Sequence, residues 1–169
     1  SDWVTDIGED KDGVDLNRNY DINWIFGDAL HQETASCNTQ YTDNYDYYRG
    51  EYPESESEIN AIVQLAKEQK FLLSLAYHSS RSGCVAERVI FPWGWKNEGN
   101  QRKKSPDFSI IKKLGDKIHR DIMDWGPDQD NIFYARPQGS RFGNAHDWLY
   151  RETGCIQYLI EVGDFDYGP

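Results

Sequence analysis

Residues 55 to 77 constrain the fold of this chain more than any other stretch. Ser55-Glu56-Ser57-Glu58 has the form of a capping box, a hydroxyl residue followed three positions later by Glu. Ile59, Ile62, Val63 and Ala66 then recur at helical spacing, which predicts a helix over 56–69. Directly after it, Phe71-Leu72-Leu73-Ser74-Leu75-Ala76-Tyr77 is a short apolar run. A run of that length reads as a strand buried on both faces. A helix feeding straight into a buried strand belongs to an α/β domain.

The rest of the chain continues the pattern. Arg88 to Trp93 reads as a strand stopped by Pro92 and Gly94. Ser105-Pro106-Asp107 sets a cap residue before a proline at the first helical position. Phe108, Ile111, Leu114, Ile118, Ile122 and Trp125 then form one helical face, ended by Gly126-Pro127. Residues 131–135 suggest a further strand and 147–152 a short helix closed near Gly154. Cys155 to Val162 is the last strand. The expected fold is a mixed, twisted α/β sheet with helices on both faces. The stretches 2–12 and 28–55 are polar and read as loops, the second of a length that marks either a functional or a disordered segment.

A formal net charge of −11 argues against nucleic acid or an anionic membrane as partner, because both need basic patches. No window approaches the apolar length of a membrane span. The three cysteines, Cys37, Cys84 and Cys155, lack C-x-x-C spacing, so a cysteine zinc site is not expected. Cys84 can pair with Cys37 or with Cys155, and spacing does not choose between them.

Three polar positions stand where a purely structural role is strained. Arg18, set among Asp15, Asn17 and Asn19, suits recognition of a carboxylate by two parallel hydrogen bonds; the alternative is a surface Arg–Asp pair. His78 follows the first apolar strand, at the carboxyl end where α/β sheets bind ligands. Alternation sets it on one face with Leu72, Ser74 and Ala76, and its role is either metal ligand or hydrogen-bonded structural residue. Glu161 lies between Ile160 and Val162, so its carboxylate needs a partner or a raised pKa. It is either a general base or a Glu paired with an Arg.

Taken in order, these stretches resemble the carboxypeptidase A-like zinc metallocarboxypeptidases. The resemblance is carried by Gly-Val-Asp-Leu-Asn-Arg-Asn-Tyr at 13–20 and by Tyr48-Arg49-Gly50. It continues through Tyr77-His78-Ser79, Phe91-Pro92-Trp93-Gly94-Trp95, Asp147-Trp148-Leu149-Tyr150 and Ile160-Glu161-Val162-Gly163-Asp164. It implies that Asn17 and Arg18 bind the free C-terminal carboxylate of a peptide substrate. His78 becomes one ligand of a Zn2+ ion, and Glu161 the base that deprotonates the attacking water and then protonates the leaving amine. His146, just before Asp147, falls where the family reads the substrate side chain, and an imidazole there implies polar or acidic side chains. A secreted or periplasmic location also follows from the resemblance.

The family takes its first two zinc ligands from an H-x-x-E motif. None of His31, His78, His119 and His146 is followed by Glu three positions later. The expectation is therefore a single partial catalytic domain over 1–169, with the H-x-x-E segment, an oxyanion-stabilising arginine and a final helix outside it, and inactive by itself. The family's substrate-capping tyrosine falls near Gly139, with Tyr134 as a substitute. His31 and His119 are expected to be solvated or structural. The alternatives are a non-catalytic carboxylate-binding module and a cell-wall peptide carboxypeptidase of the same family.

Overall fold

The computed structural model describes residues 14–26, 49–79, 88–96, 102–125, 134–137 and 143–162. Two 3-10 turns, Leu16–Arg18 and Trp24–Phe26, precede the regular elements. These are α1 (Ser57–Gln69), β1 (Leu73–Ser79), β2 (Arg88–Phe91), β3 (Gly94–Lys96) and β4 (Arg102–Lys104). They continue with α2 (Phe108–Trp125), β5 (Tyr134–Pro137), α3 (Ala145–Thr153) and β6 (Ile156–Val162). The stretches 2–12 and 28–48, the stop at Gly126-Pro127, His31, Cys37, Cys84 and Gly139 lie outside the described residues.

Four strands form one sheet in the order β1-β6-β2-β5. β1 runs parallel to β6 and β2 parallel to β5, while β2 and β6 are antiparallel. The sheet is mixed, as expected. β3 and β4 pair separately as an antiparallel ribbon. The sequence reading missed this ribbon, because three-residue strands are too short to show a period.

Two apolar cores hold the layers together. In one, Ile111 of α2 packs on Val89, Phe91 and Tyr158 of the sheet. The Tyr158 hydroxyl also donates to the Ile111 carbonyl at 2.7 Å, which satisfies its polar end. In the other, Ile59, Val63 and Ala66 of α1 meet Trp148 and Leu149 of α3, joined by Tyr20, Ile22 and Cys155. Each such side chain contributes roughly 1.5–3 kcal/mol on burial. Cys155 is a free, buried thiol.

Two expectations are corrected. The capping box of α1 does not form: its N-cap is Glu56, without a side-chain capping bond. The Glu56 N–H is met instead by Asn19 Oδ1 at 3.2 Å, from 37 residues away. The strand after α1 is also not buried on both faces. β1 is an edge strand, and Leu73, Leu75 and Tyr77 are 48%, 49% and 66% exposed. Ser74, Ala76 and His78, on its other face, are half-buried. An apolar run records that a strand avoids water but not which neighbour covers it.

Candidate active site

The turn at 15–19 is built by local hydrogen bonds. Asp15 Oδ1 accepts the Asn17 N–H at 2.9 Å, and the Arg18 N–H reaches the Asp15 carbonyl at 2.8 Å. This tight turn carries the Arg18 side chain inward, to 6% exposure. Arg18 Nη1 donates to the Asn17 carbonyl at 2.7 Å and to Asn144 Oδ1 at 2.9 Å, while Nε stands 3.9 Å from Asp15 Oδ2. The surface Arg–Asp pair considered from sequence is thus a buried arrangement with Asn144 as a third member.

Three residues, Asn17, Asn19 and Gly143, lock the turn to the fold. Asn17 Oδ1 accepts the Ala145 N–H at 2.9 Å, at the start of α3. Asn19 is fully buried, and its Nδ2 donates to the carbonyls of Arg49 and Tyr52 and to Ser55 Oγ. Gly143 exchanges backbone hydrogen bonds with Tyr20 and Ile22. At φ +64° a side chain on Gly143 would be strained, and its Cβ would fall 1.9 Å from the Arg18 carbonyl oxygen. Only glycine lets the two backbones pass so closely.

The sheet supplies the other two groups. His78 of β1 and Glu161 of β6 are register partners in the parallel pair. Parallel partners share a face, and the Gln157 Nε2 to Ser74 Oγ bond at 3.1 Å, between the partners four residues earlier, shows it. His78 and Glu161 therefore stand side by side, each one residue from the carboxyl end of its strand. Arg88 of β2 is the register partner of Glu161 on its other side. The pKa of His78 is held below 6.5, mainly by burial; Asp15 opposes this, and the Arg18 guanidinium adds to it. The clamp turn and the sheet edge are thus close enough to act on each other electrostatically. A neutral imidazole has the lone pair a metal ligand needs.

His146 and Asp147 lie buried in the first turn of α3, with His146 Nε2 3.6 Å from Asp147 Oδ1. Burial pushes the Asp147 carboxyl up to about 8, so at neutral pH it is predominantly protonated. His119 lies partly buried within α2, away from these elements in sequence. Tyr134 begins β5 as the register partner of Arg88. Sequence reasoning gave no role to Gly143 or Asn144. An Asn ahead of a helix reads as that helix's own cap, which hides the use made of Asn144.

The arrangement combines a buried guanidinium, a neutral imidazole and a carboxylate from three distant stretches. It can bind an anion, offer one nitrogen ligand and move one proton. Among the described residues, no group of three or more His, Cys, Asp or Glu side chains is placed to hold a metal ion. His78 is suited to zinc as a single ligand, and the described residues alone do not complete a set. No helix among the described residues is long and apolar enough to cross a membrane.

The zinc carboxypeptidase family model matches residues 3–168, and the chain belongs to that family. It is 26% identical over 156 residues to carboxypeptidase B2 of Bos taurus, covering 90% of this chain and 32% of that protein. It is likewise 26% identical over 161 residues to carboxypeptidase A6 of Mus musculus, covering 90% and 31%. The chain thus spans about a third of the length of the curated relatives it matches. The crystal structure of carboxypeptidase A from Helicoverpa armigera superposes with a TM-score of 0.62 at 17% identity, over 93% of this chain and 36% of that one. At that identity the superposition speaks for the fold alone.

Proposed function

We propose that this chain supplies the carboxylate clamp, one zinc ligand and the general base of a metallocarboxypeptidase that removes the C-terminal residue of peptides. The observation that carries this is the pairing of His78 with Glu161 at the carboxyl ends of β1 and β6, within electrostatic reach of Arg18. Arg18, aided by Asn17, holds the terminal carboxylate, which restricts cleavage to the last peptide bond. Glu161 takes a proton from the attacking water and passes it to the leaving amine. Zinc, when bound, polarises the scissile carbonyl and acidifies water. His146, just before Asp147, reads the substrate side chain, and an imidazole there favours polar or acidic residues.

The remaining zinc ligands come from a further segment of the domain, an H-x-x-E pair docking along β1. Among the described residues that strand pairs on one side only, and Leu73, Leu75 and Tyr77 form an exposed apolar face on it. Uncovered apolar edges of this kind call for a partner. The test is zinc stoichiometry and release of C-terminal Glu, Phe and Lys, by the chain alone and by a version extended with the H-x-x-E segment. The chain alone should bind zinc weakly and hydrolyse nothing; the extended version should bind one zinc and cleave. Glu161→Gln in that version should lower kcat by at least about a hundredfold with zinc retained. Hydrolysis by the chain alone would contradict the incomplete ligand set, and a preference for Lys would contradict the role of His146.

A second reading is a non-catalytic carboxylate-binding module in which Arg18 and Asn17 hold a carboxylate and no metal is retained; the way Asn144 and Asp15 hold Arg18 favours it. An extended version that holds no zinc but still binds peptide carboxylates would establish it.

A further inference from the structure

Asn144 stands at the N-cap of α3 with extended backbone angles, φ −78° and ψ 138°, yet its side chain makes no capping hydrogen bond. An Asn in this position ordinarily turns its oxygen onto the N–H groups of its own first turn. Here Oδ1 accepts Arg18 Nη1 at 2.9 Å instead, in a contact buried at both ends. The orientation of the amide follows from chemistry: a guanidinium only donates, so the oxygen must face it. The helix receives its cap from the other side, where Asn17 Oδ1 meets the Ala145 N–H at 2.9 Å. The two asparagines have exchanged duties across the clamp.

This exchange does not favour stability. Asn144 Nδ2 is buried with no hydrogen-bond partner among the described residues. A buried donor left unsatisfied is a cost that an apolar side chain would not incur. A residue retained for packing or capping would not be used in this way.

We propose that Asn144 is a positioning residue for carboxylate recognition, fixing the plane of the Arg18 guanidinium. Two-point binding of a carboxylate is directional, and a guanidinium held at one nitrogen by a rigid helix end presents its fork in a single orientation. The rigidity has a visible source. Gly143, the preceding residue, has its backbone bonded to Tyr20 and Ile22, and Trp148 and Leu149 of the same helix lie in the core. This inference rests on the assignment of Arg18 to the substrate carboxylate made above.

The test is titration of the purified chain with N-acetylglycine and, as control, N-acetylglycinamide, followed by NMR or calorimetry. These ligands share every group but the free carboxylate and have no side chain to be read. The wild type should prefer the acid. Asn144→Leu should weaken acid binding by roughly tenfold and leave the amide unchanged. Asn144→Asp keeps the shape but lays an internal carboxylate on Arg18. It should cut acid binding further while the melting temperature holds or rises, which a purely structural role would not produce. Acid preference intact in Asn144→Asp, or both ligands shifted alike in Asn144→Leu, would overturn the proposal. Arg18→Met separates the two claims. If it abolishes acid preference while both Asn144 variants keep it, only the Asn144 inference fails. If the wild type has no acid preference, or Arg18→Met retains it, the assignment of Arg18 fails and the role of Asn144 falls with it.

Discussion

Replacing Asp147 with Asn should remove much of the fall in stability between pH 5 and pH 8. Asp147 is fully buried, and neither carboxylate oxygen has a hydrogen-bond partner among the described residues. Its neighbour His146 comes no nearer than 3.6 Å. Burial alone therefore sets its protonation, raising the pKa from 3.8 to about 8. In the unfolded chain the same carboxyl ionises near pH 4. Between these values the folded chain holds a proton that the unfolded chain has released. The stability tied to that proton is complete below about pH 4 and is lost as the pH rises through about 8, with a slope approaching 1.36 kcal/mol per pH unit.

Over three pH units the ceiling is about 4 kcal/mol. Relaxation around a newly formed charge would bring the observed loss to roughly 2–4 kcal/mol. That is a large share of the total stability of a domain of this size. Urea midpoints of the wild type and Asp147→Asn, taken at four pH values, isolate this group from the other carboxylates. The variant should gain on the wild type steadily from pH 5 to pH 8. If the wild type instead gains on the variant, Asp147 is ionised in the fold and paired with a His146 imidazolium, and the account of a buried neutral acid is wrong.

Gly143→Ala should destabilise the fold by roughly 3 kcal/mol or more, because its Cβ would strike the Arg18 carbonyl; urea denaturation measures this, and a loss below 1 kcal/mol would show that the two backbones are not held so closely. Asn19→Ala should cost roughly 3 kcal/mol and raise amide hydrogen exchange across 49–56, since this one side chain bonds Arg49, Tyr52, Ser55 and Glu56. Leu75→Lys should change the stability of the chain by less than about 0.5 kcal/mol but weaken docking of the H-x-x-E segment, measured by titrating the two pieces together; equal docking by the variant would place that segment elsewhere.

The helices were legible in the sequence because α1 and α2 each repeat apolar residues over several turns, and α3 ends at a glycine where the pattern stops. The last strand was legible for a different reason. Its residues, Cys155 to Val162, are apolar but for Gln157 and Glu161, a short run that marks a strand without any helical period. What periodicity could not report was partnership. The Phe71 to Tyr77 run is apolar in either circumstance, whether a neighbour covers it or not, and only the sheet order shows β1 at the edge. Ser55 and Glu58 satisfy the capping-box spacing, yet Asn19 supplies the bond from a distant turn. Local signals identify residues able to cap, and tertiary contacts decide which of them do so.

The same point explains how the Asn17-Arg18-Asn19 turn is held. The three residues are tied to two helices: Asn19 meets the start of α1, Asn17 meets the start of α3, and Arg18 takes Asn144 from α3 in return. α1 and α3 pack on each other through Ile59, Val63, Trp148 and Leu149. The clamp is therefore fixed by the core of the domain, whereas His78 and Glu161 are fixed by the pairing of β1 with β6. If His78 holds a metal as proposed, its removal should act on β1 and leave the Arg18–Asn144 bond in place. Carboxylate binding should accordingly survive in a chain that holds no zinc.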